Sequence, residues 1–325
     1  MSLYLVTGGA GFIGSHLVDA LQAKGHIVRV LDDLSTGRRA NLDEATELVV
    51  GDVADPAVTR AAMRGVDGCF HLAAIASVVR GNEDWVGTHR ANLGGTICVL
   101  DAARAEGRLP VVYASSAAVY GRVAGVAVET AMPMPMSAYG ADKLGSEMHA
   151  RAGFEVHGVP SVGFRFFNVY GQRQDPLSPY SGVISLFGSS LLAGRAVSVH
   201  GDGLQTRDFV YVADVVAFLM AGMAHAVVDP GALVLNACTG RETSVLGLVE
   251  TIGALLQRRP LVHSGPGRAG DIRRSVGSPA LASAVLGVEA RTSLRAGLER
   301  TLGDCVMDKL TDLAGVVGVN SLERA

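Results

Sequence analysis

Residues 6–16, VTGGAGFIGSH, limit the fold more than any other stretch. The run 3–7, LYLVT, is short and apolar and ends at glycine, so it reads as a buried parallel strand. A helical pattern begins at about Phe12 and continues to Lys24. Gly8 and Gly11 stand between them, and Gly14 lies in the first helical turn. Glycines there permit a tight turn and let the backbone close on a pyrophosphate at the helix N-terminus, where free N–H groups and the helix dipole favour anions. The strand–turn–helix context makes this glycine pattern a dinucleotide signal rather than a chance spacing.

The same rhythm repeats. Strand-like runs recur at 26–32 (HIVRVLD), 47–52 (ELVVGD), 68–73 (GCFHLA), 110–116 and 160–171. Helical patterns lie between them, notably over 85–106 and 137–156. Alternation of this kind predicts an α/β fold, a Rossmann-type doubly wound parallel sheet covered on both faces. After about Asn168 the elements shorten: a helix near 182–193, a strand near 196–200, a helix near 212–224. We therefore expect a dinucleotide-binding domain over 1–167 and a smaller C-terminal α/β substrate lobe over 168–325, with later strands able to return to the first sheet. The tail after Gly303 fits neither.

Composition narrows the function classes. Lys+Arg is 28 and Asp+Glu 31, so no basic field is available for nucleic acid and no basic stripe for a membrane surface. The longest apolar stretch, VVAFLMAGMAHAVV, is too short to span a bilayer, and the N-terminus lacks the basic region of a signal peptide. Cys69, Cys98, Cys238 and Cys305 are scattered without ligand-like spacing, which points to buried thiols in a reducing cytoplasm and to no metal site.

The second strand ends in Asp32. A carboxylate there accepts from the ribose hydroxyls and repels a 2′-phosphate, which favours NAD over NADP even with Arg38 and Arg39 nearby. Asp52 ends the third strand and is a candidate adenine contact. HLAA (71–74) puts small residues where a cofactor would lie against the sheet, and His71 reads as structural. Ser115 and Ser116 end the fifth strand and face the same crevice. YGADK (139–143) places Tyr139 and Lys143 on one helical face. A phenol beside an ammonium is more easily deprotonated, so the pair suits proton abstraction near neutral pH.

Gly8–Gly14, Asp32, Asp52, HLAA, Asn92 in RANLGGT, SSAAVYG and YGADK, in that order and spacing, resemble the extended short-chain dehydrogenase/reductase family, and within it the nucleotide-sugar 4-epimerases. The likeness runs over about residues 3–300. It implies Ser116 as the catalytic serine, with Ser115 as alternative, Tyr139 as acid/base, and Lys143 as its electrostatic partner and a ligand of the nicotinamide ribose. It implies NAD contacts from Phe12 and Ile13 at the first helix, and from Asp33, Ser35, Thr36 and Gly37 after the second strand. Val53, Leu72, Ala73, Ala74, Asn92 and Phe167 complete the cofactor set. For a UDP-sugar it implies Asn168, Arg207 and Arg268 at the diphosphate, Asp271 at the ribose and His200 at the uracil. Val183, Ile184 and Val199 are expected at the pocket, and Ser275 at the sugar C2 substituent, where a small residue leaves room for an acetamido group.

Related 4,6-dehydratases carry an acidic pair after the strand serine or threonine; here those positions are Ala117 and Ala118, which disfavours water elimination. The resemblance thus implies C4 epimerisation of a UDP-hexose, including N-acetylated hexoses, by a homodimer; the helices at 85–106 and 137–156 would supply the interface, and their apolar faces equally suit the core of a monomer. The alternatives are a UDP-glucuronate 4-epimerase or other 4-keto-forming enzyme and, from another class, a silent NAD-sensing regulator. Retention of Ser116, Tyr139 and Lys143 weighs against the last.

Overall fold

Seven parallel strands form the central sheet of the computed structural model, which describes residues 1–174, 183–267 and 272–303. Through residue 166 the elements alternate: β1 (Leu3–Thr7), α1 (Phe12–Ala23), β2 (Ile27–Asp32), β3 (Glu47–Val50), α2 (Pro56–Met63), β4 (Gly68–His71), α3 (Val78–Glu83), α4 (Trp85–His89), α5 (Gly95–Ala105), β5 (Val111–Ser116), α6 (Ala138–His157) and β6 (Ser161–Phe166). Then follow β7 (Asn168–Tyr170), α7 (Val183–Leu192), β8 (Val197–His200), β9 (Thr206–Arg207), β10 (Phe209–Tyr211), α8 (Val212–Val228), β11 (Ala232–Ala237), β12 (Thr243–Ser244), α9 (Val245–Leu255), β13 (Val262–Gly265), β14 (Arg274–Ser275) and α10 (Ala280–Leu286).

The sheet order is β11-β6-β5-β4-β1-β2-β3. The chain winds outward from β1 through β2 to β3, then returns to lay β4 on the other side of β1. That reversal opens a crevice at the carboxyl ends of β1 and β4. Thr7, Leu31 and His71 are aligned across it. Strand side chains alternate between faces. Val6, Val30, Phe70 and Phe164 pack under α1 and α8, whereas Leu5, Leu31, Cys69 and Tyr113 pack under α2, α5 and α6. Both faces are buried, which is why the strands are apolar throughout. Each large side chain so buried contributes about 1.5–3 kcal/mol.

The chain after residue 168 serves two places. α8 and β11 belong to the large layer: β11 pairs with β6 along its length, and Phe218 of α8 stacks against Phe164. The smaller lobe has its own core of Tyr170, Phe187, Val199, Tyr211, Leu248 and Leu298. Its three-stranded sheet, β12-β9-β14, sets Ser275 beside Arg207.

Two departures from the expected elements bear on the site. The helix expected over 85–106 is interrupted by a π-helical turn, Arg90–Gly94. Asn92, at its centre and fully buried, trades hydrogen bonds with the backbone of Ile75, accepting at 2.8 Å and donating at 3.3 Å. A side chain tied sideways to another segment displaces the regular ladder at that point. The strand expected over 160–171 is split at Phe167, where the chain leaves the main sheet for β7. Among the described residues no helix is long and apolar enough to cross a membrane.

Candidate active site

The turn from β1 into α1 shows why those positions are glycine. Gly8 has φ +71°, and a Cβ there would meet the backbone nitrogen of Ala73 at 2.6 Å. A Cβ on Gly14 would lie 2.1 Å from the Gly8 carbonyl oxygen. The N-cap of α1, Gly11, supplies no side-chain cap, so the first-turn N–H groups remain for an anion. Asp32 accepts backbone N–H bonds from Ala10 and Leu34, each at 2.9 Å, and burial raises its pKa against those two bonds. Asp33 is capped locally by Ser35, whose hydroxyl donates to it at 2.6 Å. Gly37 stands so near Asp32 that a Cβ would come within 2.7 Å of the carboxylate. Asp52 accepts from Arg90 at 2.6 Å. The cradle, the uncapped helix end and the carboxylate of Asp32 fit a dinucleotide.

Gly8, Gly11, Gly14, Asp32, Asp33, Ser35 and Asp52 line one cleft of about 580 Å³, along with Phe12, Ile13, Thr36, Val53, Leu72, Ala73 and Ala74; Gly37 packs on Asp32 and is not part of that lining. At its other end the same cleft takes in Ser116, Tyr139, Lys143, Phe167 and Asn168. Asn92 is beneath the wall, holding Ile75 in place. Arg80 on α3, together with Ile75, Ala76 and Gln174, also lines the cleft and was not anticipated from the sequence. An arginine inside a short helix carries no local signal of such a placement.

Ser137 caps α6 by accepting from Gly140 at 3.1 Å, which fixes where the first turn begins and so where Tyr139 emerges. Tyr139 is half-buried and shares a hydrogen bond with Ser116. The two serines at the end of β5 part company. Ser116 faces the phenol, while Ser115 is buried and donates to Glu147, itself paired with Arg165 at 2.7 Å. Lys143 is buried, with Nζ 5.9 Å from the Tyr139 ring centroid and donating to the Ala114 carbonyl at 2.8 Å. Burial lowers its pKa to about 8, partly opposed by the charge of Asp142.

Lys143 and the positive charge of oxidised nicotinamide together were expected to push the Tyr139 pKa down. Within the protein alone, burial raises it, opposed by the Ser116 hydrogen bond. His71 is structural: it bridges Thr7 at 2.8 Å and Thr96 at 3.1 Å, and burial, then the nearby Lys143 charge, lowers its pKa to about 3.

The sugar end is only partly drawn together. Arg207 donates to the carbonyls of Thr206 and Ile272 at 2.8 and 2.7 Å. His200 is exposed, with Nδ1 3.4 Å from the Pro266 carbonyl oxygen. Ile184 and Val199, expected at the pocket, pack their side chains into the small-lobe core, and Val183 packs against it. Any ligand contact from the two buried residues would come from backbone. Ser275 is half-buried on β14, its carbonyl accepting from Asp208 at 2.9 Å. Two residues on, Gly277 abuts the ring of Phe167. Arg268 and Asp271 lie outside the described residues.

Fold and cleft together define an NAD-dependent enzyme of the short-chain dehydrogenase/reductase type. Residues 4–238 match the NAD dependent epimerase/dehydratase family, and the chain belongs to that family. It is 39% identical over 307 residues to the UDP-glucose 4-epimerase of Mycolicibacterium smegmatis, covering 92% of this chain and 96% of that one. The UDP-glucose 4-epimerase of Thermus thermophilus, solved with NAD, superposes with a TM-score of 0.85 at 35% identity, over 93% of this chain and 98% of that one. The UDP-N-acetylglucosamine 4-epimerase of Methanobrevibacter ruminantium, in complex with UDP-N-acetylmuramic acid, gives 0.89 at 30%, over 94% and 99%.

Proposed function

We propose that the enzyme inverts C4 of a UDP-hexose through a 4-keto sugar, in the cytoplasm, and accepts UDP-N-acetylglucosamine and UDP-N-acetylgalactosamine as well as the unacetylated pair. The observation that carries the reading is the Ser116–Tyr139–Lys143 group at one end of a cleft whose other end fits a dinucleotide. Bound NAD supplies the hydride acceptor and donor for C4. Tyr139 takes the C4 hydroxyl proton and returns it. Ser116 orients that hydroxyl and shares a hydrogen bond with the phenol. Lys143 holds positive charge below the phenol. After β5 the chain turns through Ala117 and Ala118, which offer no carboxylate for eliminating water.

The smaller lobe holds the UDP. Arg207 and Arg268 are the proposed diphosphate ligands, Asp271 the ribose ligand, and Ser275 the residue beside the C2 substituent. The similarity to an epimerase named for UDP-N-acetylglucosamine supports the acetylated substrates. A homodimer is proposed through α4, α5 and α6, whose Trp85, Val86, Ile97 and Met148 are exposed. One observation favours a second reading: Arg80 puts a cation in the cleft, as recognition of UDP-glucuronate would require.

The test is a substrate panel read by product sugar: UDP-galactose, UDP-N-acetylgalactosamine and UDP-glucuronate. Epimers of the first two are expected. Conversion of UDP-glucuronate alone would replace this reading with the second, and no epimer from any of the three would end both.

A further inference from the structure

The residue after Arg207 is a carboxylate with no exposed surface. Asp208, between β9 and β10, is fully buried, and four donors converge on its two oxygens. Oδ1 accepts from the backbone N–H of Thr239 at 2.9 Å and from the Thr239 hydroxyl at 2.7 Å. Oδ2 accepts from the N–H of Gly240 at 2.9 Å, and the N–H of Gly277 comes within 3.5 Å of it. All four donors are neutral. An ionised carboxylate accepts on both arms and donates on neither, so it suits a point where N–H groups of separate segments meet. Burying one is costly, and full pairing is what makes it tolerable.

The segments that meet there are those of the proposed sugar end. The Asp208 carbonyl accepts from the Asn168 N–H, and the Asp208 N–H donates to the Ser275 carbonyl, each at 2.9 Å. Arg207 is its neighbour in the chain. Asn168, Arg207 and Ser275 are thus each one peptide or one hydrogen bond from Asp208. The carboxylate adds a second tie. Gly277, drawn toward Oδ2, follows Ser275 by two residues, and a Cβ on it would meet the Phe167 ring at 2.6 Å. Phe167 in turn lines the catalytic end of the cleft.

We propose that Asp208 is a positioning residue for the substrate: its buried carboxylate clamps the turn after β11 and the chain after β14, and so holds Asn168, Arg207 and Ser275 in the arrangement that receives a nucleotide diphosphate sugar. It touches no ligand itself. The proposal rests on the reading of this lobe as the UDP-sugar site, which UDP binding by the parent tests separately.

The experiment makes three measurements on the NAD-loaded holoenzyme: UDP affinity by titration calorimetry, kcat and KM with UDP-galactose, and NAD content after denaturation. The variants are Asp208→Asn, Thr239→Val and Thr239→Ser. Asp208→Asn keeps the shape, removes the charge and sets an amide donor where an acceptor stood. UDP affinity is expected to fall about tenfold or more, the effect of misplacing one charge-assisted phosphate bond. KM should rise in step while kcat at saturation stays within about threefold, because the catalytic group lies on other elements. NAD content should not change. Thr239→Val keeps the charge and loses only the hydroxyl donor, so UDP affinity should fall by less, about two- to tenfold. Thr239→Ser keeps that donor and should bind UDP within about twofold of the parent.

A parent that binds no UDP ends the UDP-sugar reading and this proposal with it. A parent that binds UDP, with variants that bind it equally well and differ only in melting temperature, leaves the reading standing and overturns the proposal. In Thr239→Val, a loss of NAD as large as the loss of UDP overturns it too, and so does a loss of UDP affinity that Thr239→Ser repeats. Either marks support of the fold at large. Where Asp208→Asn yields no holoenzyme, the two Thr239 variants decide.

Discussion

The two ends of the cleft are built differently. The dinucleotide end is assembled mostly from strand termini and the turns after them, in chain order: Gly8–Gly14 after β1, Asp32 at the end of β2, Asp52 after β3, residues 72–74 after β4. Much of its chemistry is backbone. The uncapped N-terminus of α1 and the glycines that let the chain approach Ala73 need no particular side chain, only its absence. The proposed sugar end depends on side chains from segments far apart in sequence, brought together by short pairings such as Arg274–Ser275 on Thr206–Arg207. Its exposed arginines are held by local acids, Arg273 by Asp202 and Arg274 by Glu242. One continuous sheet fixes the first end and short pairings between distant segments the second, so the cofactor end should respond to point changes by failing sharply, the sugar end by changing preference.

The largest effect belongs where the two ends meet. Tyr139→Phe removes the proposed proton acceptor but leaves the ring, the cap of α6 and the cofactor cradle. Turnover is expected to fall about 10²–10⁴-fold, the usual contribution of a general acid–base group. Bound NAD, measured after denaturation, should equal that of the parent. Near-normal turnover would remove Tyr139 from the chemistry and with it the division of labour between the ends.

Next comes the dinucleotide end alone. Asp32→Ala removes a carboxylate that two backbone N–H groups already orient. Loss of even one charge-assisted ribose bond, about 1.5–3 kcal/mol, should weaken NAD by at least about 10–100-fold. Rejection of NADP should relax, because the repulsion of a 2′-phosphate goes with the same group. Unchanged NAD retention and cofactor preference would place the ribose elsewhere.

That asymmetry also explains what could be read from the sequence. The sheet and the cofactor end were legible because each motif sits beside a strand whose apolar run announces it. The choice between Ser115 and Ser116 was not: both end β5, and only the buried Glu147–Arg165 pair, which claims Ser115, separates them. The π turn at Asn92 was hidden because its cause is a bond to Ile75, seventeen residues back. Ile184 and Val199 were expected at the pocket from resemblance, yet alternation along β8 and the packing of α7 turn them into the lobe core. The burial that raises the Tyr139 pKa was not visible, because sequence spacing reveals a neighbouring charge but not the depth of burial. Arg80 reaches the cleft only through the placement of α3.

The smallest and most selective effect is expected at the sugar end. Ser275 lies on β14 beside Arg207, and Gly277, two residues further, is pressed against Phe167, which lines the cleft. The chain at Ser275 therefore runs between the proposed diphosphate ligand and the catalytic end. If it borders the sugar C2 substituent, a larger side chain should close the space an acetamido group needs. Ser275→Tyr adds bulk whose accommodation in a packed site costs about 1–3 kcal/mol, so the ratio of kcat/KM for UDP-N-acetylglucosamine over UDP-glucose should drop about 5- to 100-fold. The UDP-glucose reaction itself should change by no more than a few-fold. NAD content should be unaffected, since β14 stands outside the cofactor cradle. Equal losses on both substrates would mean that the residue supports the β9–β14 pairing rather than gating the sugar. A parent enzyme that ignores acetylated sugars would show that another side chain closes the pocket. The preference would then have to be sought in the groups around Arg80 and Asn168.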